Sequence, residues 1–398
     1  MSKFPAKWIT QTMRGAPQIV AQPGAVILAI DALLLSGWGA TTAVSITVQG
    51  GVATAVMNEG IYFEEFSVVL IAGVTSPAQL NGEAFVFSRT NKSISFITDA
   101  PDGVAAGNFT IKYAPVGGWE KTYSDTNKAV YRSLDPKSPG HFLRVDDTNP
   151  QSVRVRAFET MTDIDTGTGP YPTDAQCAGG GYWYKNYLAT ANNTVIPYVL
   201  AGDNLMMLVA ISGGITSSAG RTGTIARGFG LPISLAPAGD PWSCLLSYHG
   251  NNPNTGSGSG ALCGGSVSGP NGATAMARTF SGTGGSVYAS QRPSTGAANA
   301  VSGNDATLGK APSSIDGQLK LSNVFLFEAS SDGTPRSVVP GIRYMPQSSV
   351  MSVIRQGSVF RTVDGKSFVA LDYSQDLSSN VTGVYLFEIS GSWRDQEA

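Results

Sequence analysis

The sequence predicts a mainly β protein. A small immunoglobulin-like β-sandwich is followed by a larger β-rich domain, and one short helix lies near the N-terminus. Three observations predict this class. Apolar and polar residues alternate with a period of two through much of the chain after residue 41. Turn-forming residues separate these runs about every ten residues. A helical apolar period is confined almost wholly to residues 25–35.

The composition excludes several classes of protein. Charged residues make up 14% of the 398 residues, against roughly 25% in an average soluble domain, and there are 48 glycines. A hydrophobic content of 42% is enough for a large core and argues against global disorder. The formal net charge of −2 provides no basic field, so we expect no nucleic-acid partner. So few charges also mean that the surface must be neutral or covered by another molecule.

Residues 1–41 are predicted to form an N-terminal segment that contains the helix. In AVILAIDALLLSGWG, Val26, Ile30 and Leu33 recur at helical spacing and Gly37 ends the run. The run is too short to cross a bilayer and contains an aspartate, so we expect no membrane insertion. No secretory signal pattern opens the chain, which predicts a protein made in the cytoplasm.

Residues 42–115 carry about six short strands, as an immunoglobulin-like sandwich requires. The runs TAVSITV and VATAVM flank Gln49-Gly50-Gly51, which predicts a β-hairpin. The sequence APVGG that follows the last run is predicted to be a linker to the second domain.

Residues 119–398 are predicted to form the large β-rich domain. The runs HFLRVDDT and SVRVRAFETMT are typical of paired strands. In the second run, alternate residues are predicted to face the core, namely Val153, Val155 and Ala157. The residues between them are predicted to face outward, namely Arg154, Arg156 and Phe158. Later turn-and-strand segments have no constant spacing, so a meandering sandwich and a propeller are both open.

Residues 250–309 are predicted to be a Gly/Ser-rich insertion within this domain. The segment has few large apolar residues, and its charged residues are Arg278, Arg292 and Asp305. Such a composition is typical of a loop that cannot order itself. If the segment is ordered, we expect neighbouring chains to cover it.

Few residues offer reactive chemistry. The chain has two histidines, His141 and His249, and three cysteines, and none of them stands at a spacing typical of zinc ligands. The glycine-rich runs lack the lysine and hydroxyl residue of a phosphate-binding loop. We therefore predict no metal and no cofactor.

Two carboxylate clusters are the candidates for catalysis. They are Asp146-Asp147 and Asp163-Ile164-Asp165. Two nearby carboxylates can act as general acid and general base, as in glycoside hydrolysis. The alternative is that these aspartates form turns by accepting hydrogen bonds from nearby backbone. The second cluster also resembles a calcium loop, but it lacks the third acidic ligand and the closing glutamate. We favour turns and predict no enzymatic activity.

The run GYWYKNY is the candidate binding site. It places Tyr182, Trp183, Tyr184 and Tyr187 within six residues. Such rings can stack on sugars, anchor a subunit interface or pack in a core. The four residues are therefore candidate interface or glycan contacts, and the core alternative stays open.

Three stretches resemble a poorly characterised family of tailed-bacteriophage virion proteins. They are GWEKTYSDTNKAVYRS (118–133), FLRVDDT with VRVRAFETMTDIDTGTGPYP (142–172), and VVPGIRYMP with the terminal YLFEISGSW (338–346 and 385–393). The resemblance extends from about residue 10 to the end of the chain, and its motifs describe strands and turns rather than a reaction. It implies a structural component of a tail, neck or baseplate, located in the virion, whose partners are copies of itself and other virion proteins.

Two other functions are weighed against this one. A receptor- or glycan-binding protein of a tail tip or fibre would expose Tyr182, Trp183 and Tyr184 at a distal surface. A glycan hydrolase would need two of the aspartates to face one cleft at roughly 5–10 Å. The burial of the aromatic residues and the placement of the aspartates distinguish these alternatives.

Overall fold

The computed structural model describes residues 3–58, 60, 63–186, 190–212, 224–236, 238–250, 262, 273–293, 312–328, 335–345, 347, 354, 357–362, 364–372 and 384–394. Over these residues the protein is mainly β with one short α-helix, as the sequence predicts. The described strands form three antiparallel sheets, which we call the first, middle and large sheets in chain order.

The N-terminal segment packs on the rest of the chain. Strand β1 (Lys7–Thr10) pairs with a strand at residues 198–202. Helix α1 (Ala25–Asp31) continues into a π-helical turn (Ala32–Ser36) and buries Val26, Ile27, Ala29 and Ile30. Gly37 ends the helix with a φ of 67°, a left-handed conformation that favours glycine. The predicted helix is therefore confirmed.

The first sheet has eight strands from residues 38–113. They are β2 (Trp38–Gln49), β3 (Val52–Met57), β4 (Val68–Ser76), β5 (Gly82–Phe85), β6 (Ser88–Arg89), β7 (Ser93–Ile97), β8 (Gly103–Val104) and β9 (Ala106–Tyr113). Their order is β5-β4-β9-β2-β3-β7-β6, with β8 also paired to β2, and a 3₁₀ turn (Ala78–Leu80) precedes β5. The predicted hairpin is confirmed as β2 and β3, which pair from Gln49↔Val52 onward.

The middle sheet has six strands from residues 119–184. They are β10 (Trp119–Asp125), β11 (Lys128–Ser133), β12 (Phe142–Asp146), β13 (Ser152–Met161), β14 (Gly167–Tyr171) and β15 (Gly181–Tyr184). Strands β10 to β14 follow one another in chain order, and β15 pairs with the first half of β13.

The predicted pair of strands in this sheet is confirmed as β12 and β13. The inward residues of β13, Val153, Val155 and Ala157, are fully buried as predicted. Phe158 lies on the opposite face, as predicted, but its ring is buried there with Val130, Phe142 and Met161 rather than exposed. The outer face of the middle sheet therefore carries a small apolar cluster of its own.

The large sheet combines β1 with twelve strands from residues 198–388. They are β16 (Tyr198–Gly202), β17 (Met206–Ile211), β18 (Ile225–Gly230), β19 (Ile233–Ser234), β20 (Leu245–Tyr248), β21 (Ala273–Met276), β22 (Val287–Pro293), β23 (Ser322–Glu328), β24 (Pro335–Met345), β25 (Val359–Arg361), β26 (Ser367–Asp372) and β27 (Val384–Glu388). The order is β1-β16-β17-β18-β20-β21-β22-β23-β24-β27-β26-β25, and β19 pairs with β24.

The strand order of the large sheet tests the propeller alternative, and it shows where part of the Gly/Ser-rich segment lies. The described strands follow one hydrogen-bonded order and do not divide into the radial blades of a propeller. Residues 273–276 and 287–293, within the Gly/Ser-rich segment, form β21 and β22 in the middle of that order. Most of the remaining segment lies outside the described residues.

One hydrophobic core joins the N-terminal segment to all three sheets. It runs without interruption through Trp8, Ile71, Leu143, Leu208 and Trp393, among many others. This shared core fixes the positions of the sheets relative to one another. No helix in the described ranges is long and apolar enough to cross a membrane.

Candidate functional site

The aromatic run lies on β15 and alternates across the strand. Trp183 is 1% exposed, and its indole N–H donates to the carbonyl of Ser247 at 2.8 Å. On the other side of the strand, Tyr184 is also buried and Tyr182 is half-buried. The guanidinium of Arg154 lies over the Tyr182 ring, 4.4 Å from its centre. Trp183 and Tyr184 therefore belong to the core and offer no face on which a sugar could stack, and Tyr187 lies outside the described residues.

Asp147 is buried at the junction between the N-terminal segment and the middle sheet. Its Oδ2 accepts hydrogen bonds from the backbone N–H groups of Val26 (2.7 Å) and Ile27 (3.4 Å). These are the first N–H groups of α1, which lack partners within the helix. The N-cap residue, Gly24, has no side chain to satisfy them. Asp147 therefore caps α1 from a distant part of the chain.

Lys185 is the partner of Asp147. The two side chains are fully buried and form an ion pair, and the Lys185 ammonium also donates to the carbonyl of Gln22 at 2.8 Å. Burial raises the pKa of Asp147 and lowers the pKa of Lys185, and the attraction between the two charges opposes both shifts. The pair connects the segment before α1 with the ends of β12 and β15.

The other candidate carboxylates are bound to cations or to turns. Asp146 accepts from Arg144 at 3.3 Å, and the same guanidinium binds Asp165, which also pairs with Lys128 at 3.1 Å. Arg144 holds the pKa of Asp165 below its usual range. Asp163 accepts the backbone N–H groups of the two residues that follow Ile164, at 2.9 and 2.8 Å, as the predicted turn requires. A general acid must stay protonated near neutral pH, which Asp165 does not.

Both histidines are buried. The Nδ1 of His141 lies 3.1 Å from the hydroxyl of Tyr171, and the His141 ring also contacts that of Trp242. Burial lowers the pKa of His141 to about 4 and that of His249 to about 4 as well. Both imidazoles are therefore neutral at pH 7 and lie inside the fold rather than in an open cleft.

The two described cysteines are buried thiols. Burial raises the pKa of Cys177, and it raises the pKa of Cys244 to about 12. Neither forms the thiolate that a nucleophile needs, and Cys263 lies outside the described residues. Within the described ranges, no group of three or more His, Cys, Asp or Glu side chains could hold a metal ion.

Further buried charges hold the sheets together. Arg336 and Asp240 are each 1% exposed and form an ion pair at 2.5 Å. Arg278 binds Glu159 of β13 through two hydrogen bonds of 2.8 Å, which connects the loop after β21 to the middle sheet. The role of these ion pairs is to connect packed parts of the fold, so they need no functional explanation.

A cleft of about 750 Å³ lies where the three sheets meet. Its charged lining residues are Lys3, Glu83, Asp135, Lys137 and Arg394. Glu83 pairs with Lys7 at 3.0 Å, and Arg394 pairs with Asp203 at 3.1 Å. The lining has both signs of charge and no distinct chemistry for recognising one kind of ligand.

The outer surface of β2, β3, β7 and β8 has a different character. Its side chains form three rows across the strands, and none of them is charged. The residues of this neutral face are Ser45, Thr47, Gln49, Val52, Thr54, Val56, Ser93, Ser95, Ile97 and Val104. Their neighbours along each strand, such as Ile46, Ala55 and Phe96, are buried.

The middle row of the neutral face runs through Val104, Thr47, Thr54 and Ser95, which are successive partners across the four strands. Val104 is 74% exposed, and Ile97 in the adjacent row is 77% exposed. A partner that packed on this face would cover these two apolar side chains and would bury no charge.

The sequence patterns led to the aromatic run and missed this face. The signal was present in TAVSITV and VATAVM, where Ser, Thr and Val occupy the outward positions and lysine and glutamate do not. No protein-family model matches the chain, and no curated protein matches it. The resemblance of the three stretches and the geometry of these surfaces are what bear on function.

Proposed function

We propose that the protein is a structural component of a tailed-bacteriophage particle, in its tail, neck or baseplate. It acts by binding copies of itself and other virion proteins. The neutral face carries this proposal, because ten outward side chains of a well-formed sheet include no charge and include Ile97 and Val104. The resemblance of residues 118–133, 142–172 and the C-terminal stretches supports the assignment to a virion.

The interior chemistry is consistent with a structural role. Asp165 and Asp146 share the guanidinium of Arg144, and Asp147 is buried against Lys185. A glycosidase instead presents an acid and a base to an open cleft. The glycan-binding alternative depended on the exposure of Tyr182, Trp183 and Tyr184. The rings of Trp183 and Tyr184 are buried, and the half-buried ring of Tyr182 lies beneath the guanidinium of Arg154.

Particles made with and without this chain would test the proposal. The genome that encodes it is propagated with the gene intact and with a stop codon introduced early in the gene. Purified particles are washed in high salt and analysed by mass spectrometry and electron microscopy. We expect the intact particles to retain the chain in a fixed copy number, and the mutant particles to lack part of the tail, neck or baseplate. Complete particles of normal appearance without the chain would refute a structural role.

A further inference from the structure

We propose that the neutral face packs against the neutral face of a second copy of this chain, across a twofold axis that lies along its middle row. This inference rests on the proposed function and names the partner of that surface. In such a contact each residue on the axis meets the same residue of the other copy. Thr47 and Thr54 would therefore each contact themselves.

Charge is the first argument for a second copy. A charged residue on a twofold axis confronts an identical charge, which is strongly unfavourable in a buried contact. A face that pairs with itself must therefore keep its axis neutral. Val104, Thr47, Thr54 and Ser95 satisfy this requirement, and so do the two flanking rows. A surface for a basic or acidic partner would carry the opposite charge instead.

The rim of the face supplies the second argument. Lys92 is exposed at one end of β7, immediately before Ser93, whereas Asp99 and Asp102 are exposed beyond the other end. An axis along the middle row, perpendicular to the strands, reverses the strand direction of the second copy. Lys92 of each copy then lies over the acidic end of the other. The neutral centre and the oppositely charged ends fit the same arrangement.

The area of the face sets the strength of the contact. Four strands at a spacing of about 4.8 Å and three rows about 6.8 Å apart cover roughly 400 Å². A standard interface buries about 800 Å² on each partner. We therefore expect a weak dimer in solution, which becomes stable where many copies are held side by side in a particle.

Charge variants of Thr47 test the contact directly. Thr47 is exposed, so Thr47→Lys and Thr47→Glu should leave the fold intact, and circular dichroism checks this. Sedimentation equilibrium should show that each variant alone dimerises about tenfold or more weakly than the unmodified chain. An equimolar mixture of the two variants should recover dimers, because lysine then faces glutamate. Thr47→Val and Ile315→Lys are the matched controls and should dimerise normally, since the first adds no charge and the second adds it elsewhere on an exposed residue.

Cross-linking provides an independent readout. The five residues of β7 separate Lys92 from Asp99 by about 17 Å or more within one chain. A zero-length carbodiimide cross-link between Lys92 and Asp99 can therefore form only between two copies. We expect this cross-link in the dimer of the unmodified chain and its loss in Lys92→Gln.

Each other outcome contradicts the inference. A chain that stays monomeric up to its solubility limit has no such contact. Dimers that persist in both charge variants use another surface. Loss of dimers without recovery on mixing means that the face does not meet its own copy. These solution experiments do not test whether the chain is retained in the washed particle. The particle experiment therefore judges the proposed function separately from the contact between copies.

Discussion

Asp147 and Lys185 connect the N-terminal segment to the middle sheet. The aspartate caps α1, and the lysine holds the backbone just before it. Both groups are cut off from water, so each depends on the other for its charge to be tolerated. The sequence placed Asp147 in a turn beside Asp146, and nothing in the local pattern pointed to a lysine 38 residues further on. A contact of this kind depends on tertiary structure that the pattern around either residue does not carry.

Removing either member of this pair should be strongly destabilising. We expect Lys185→Met or Asp147→Leu alone to lower the free energy of unfolding by about 3–5 kcal/mol, because each leaves an uncompensated buried charge. Asp147→Leu should be the worse of the two, since α1 also loses its cap. The double variant should cost less than the sum of the single variants in urea unfolding. Strictly additive losses would show that the two charges do not interact.

Gly341 shows a close approach that admits no side chain. Its φ is 71°, and a Cβ atom would lie 2.5 Å from the ring of Trp393, which is 1% exposed. We expect Gly341→Ala to displace the tryptophan and to lower the free energy of unfolding by about 1–3 kcal/mol or more. Gly391→Ala is the control, because Gly391 has the same φ but open space around it. Equal losses from both variants would mean that backbone strain alone matters at Gly341.

The positions of the aromatic residues on β15 become clear only from the strand as a whole. Trp183 faces the core, whereas Tyr182 and Tyr184 share the opposite side of the strand, where Tyr182 is half-buried and Tyr184 is buried. A cluster of rings in sequence therefore separates in space. From the sequence of the run alone, its aromatic residues could lie in the core, at an interface or in a glycan-binding site. The pairing of β15 with β13 determines which side chains are buried.

The two sides of β15 should respond differently to truncation. Trp183→Ala should lower the free energy of unfolding by about 3–5 kcal/mol, because it leaves a large cavity in the shared core. Tyr182→Ala should cost clearly less, since that ring is half-exposed. Thermal and urea unfolding of both variants measure the difference. A well-folded Trp183→Ala protein of normal stability would contradict the placement of this ring in the core.

Elements formed by neighbouring residues were predictable, and those formed by distant ones were not. The hairpin of β2 and β3 and the pair of β12 and β13 each depend on a local turn, and the sequence predicted both. Strands β21 and β22 lie in a Gly/Ser-rich segment, where sparse apolar residues hid the strand period. The burial of Phe158 was missed because the pattern assumes that a sheet has one apolar face, whereas the middle sheet has apolar residues on both.

The molecule as a whole should lose stability in acid because of its buried histidines. The pKa of His141 is about 4 in the folded chain, against an ordinary value of 6.5, and burial is the main cause. Arg278 adds to the shift, and Glu159 opposes it. The unfolded chain therefore takes up this proton first, so the stabilisation is complete above pH 6.5 and is lost as the pH falls towards 4. His141 alone should account for up to about 3 kcal/mol over this window.

Urea unfolding at a series of pH values measures this effect. The free energy of unfolding should fall between about pH 6.5 and about pH 4, and His141→Gln should flatten that fall. His249, whose pKa is also about 4, adds to the slope, whereas Asp147 and Glu388, whose pKa values are raised by burial, oppose it. Glu159, whose pKa is held below its usual range by Arg278, contributes only at lower pH. A His141→Gln variant with an unchanged slope would show that the imidazole does not remain neutral in the fold.

The pairing of β1 with β16 has a consequence for the order in which the chain acquires its structure. Residues 7–10 are translated about 190 residues before their partner strand at residues 198–202. At typical synthesis rates of about 5–20 residues per second, roughly 10–40 s pass between the translation of β1 and that of the strand with which it pairs. Asp147, which caps helix α1, is likewise translated after the helix. Strand β1 and helix α1 are thus placed only after these later partners have been made, and until then their apolar residues need protection from aggregation.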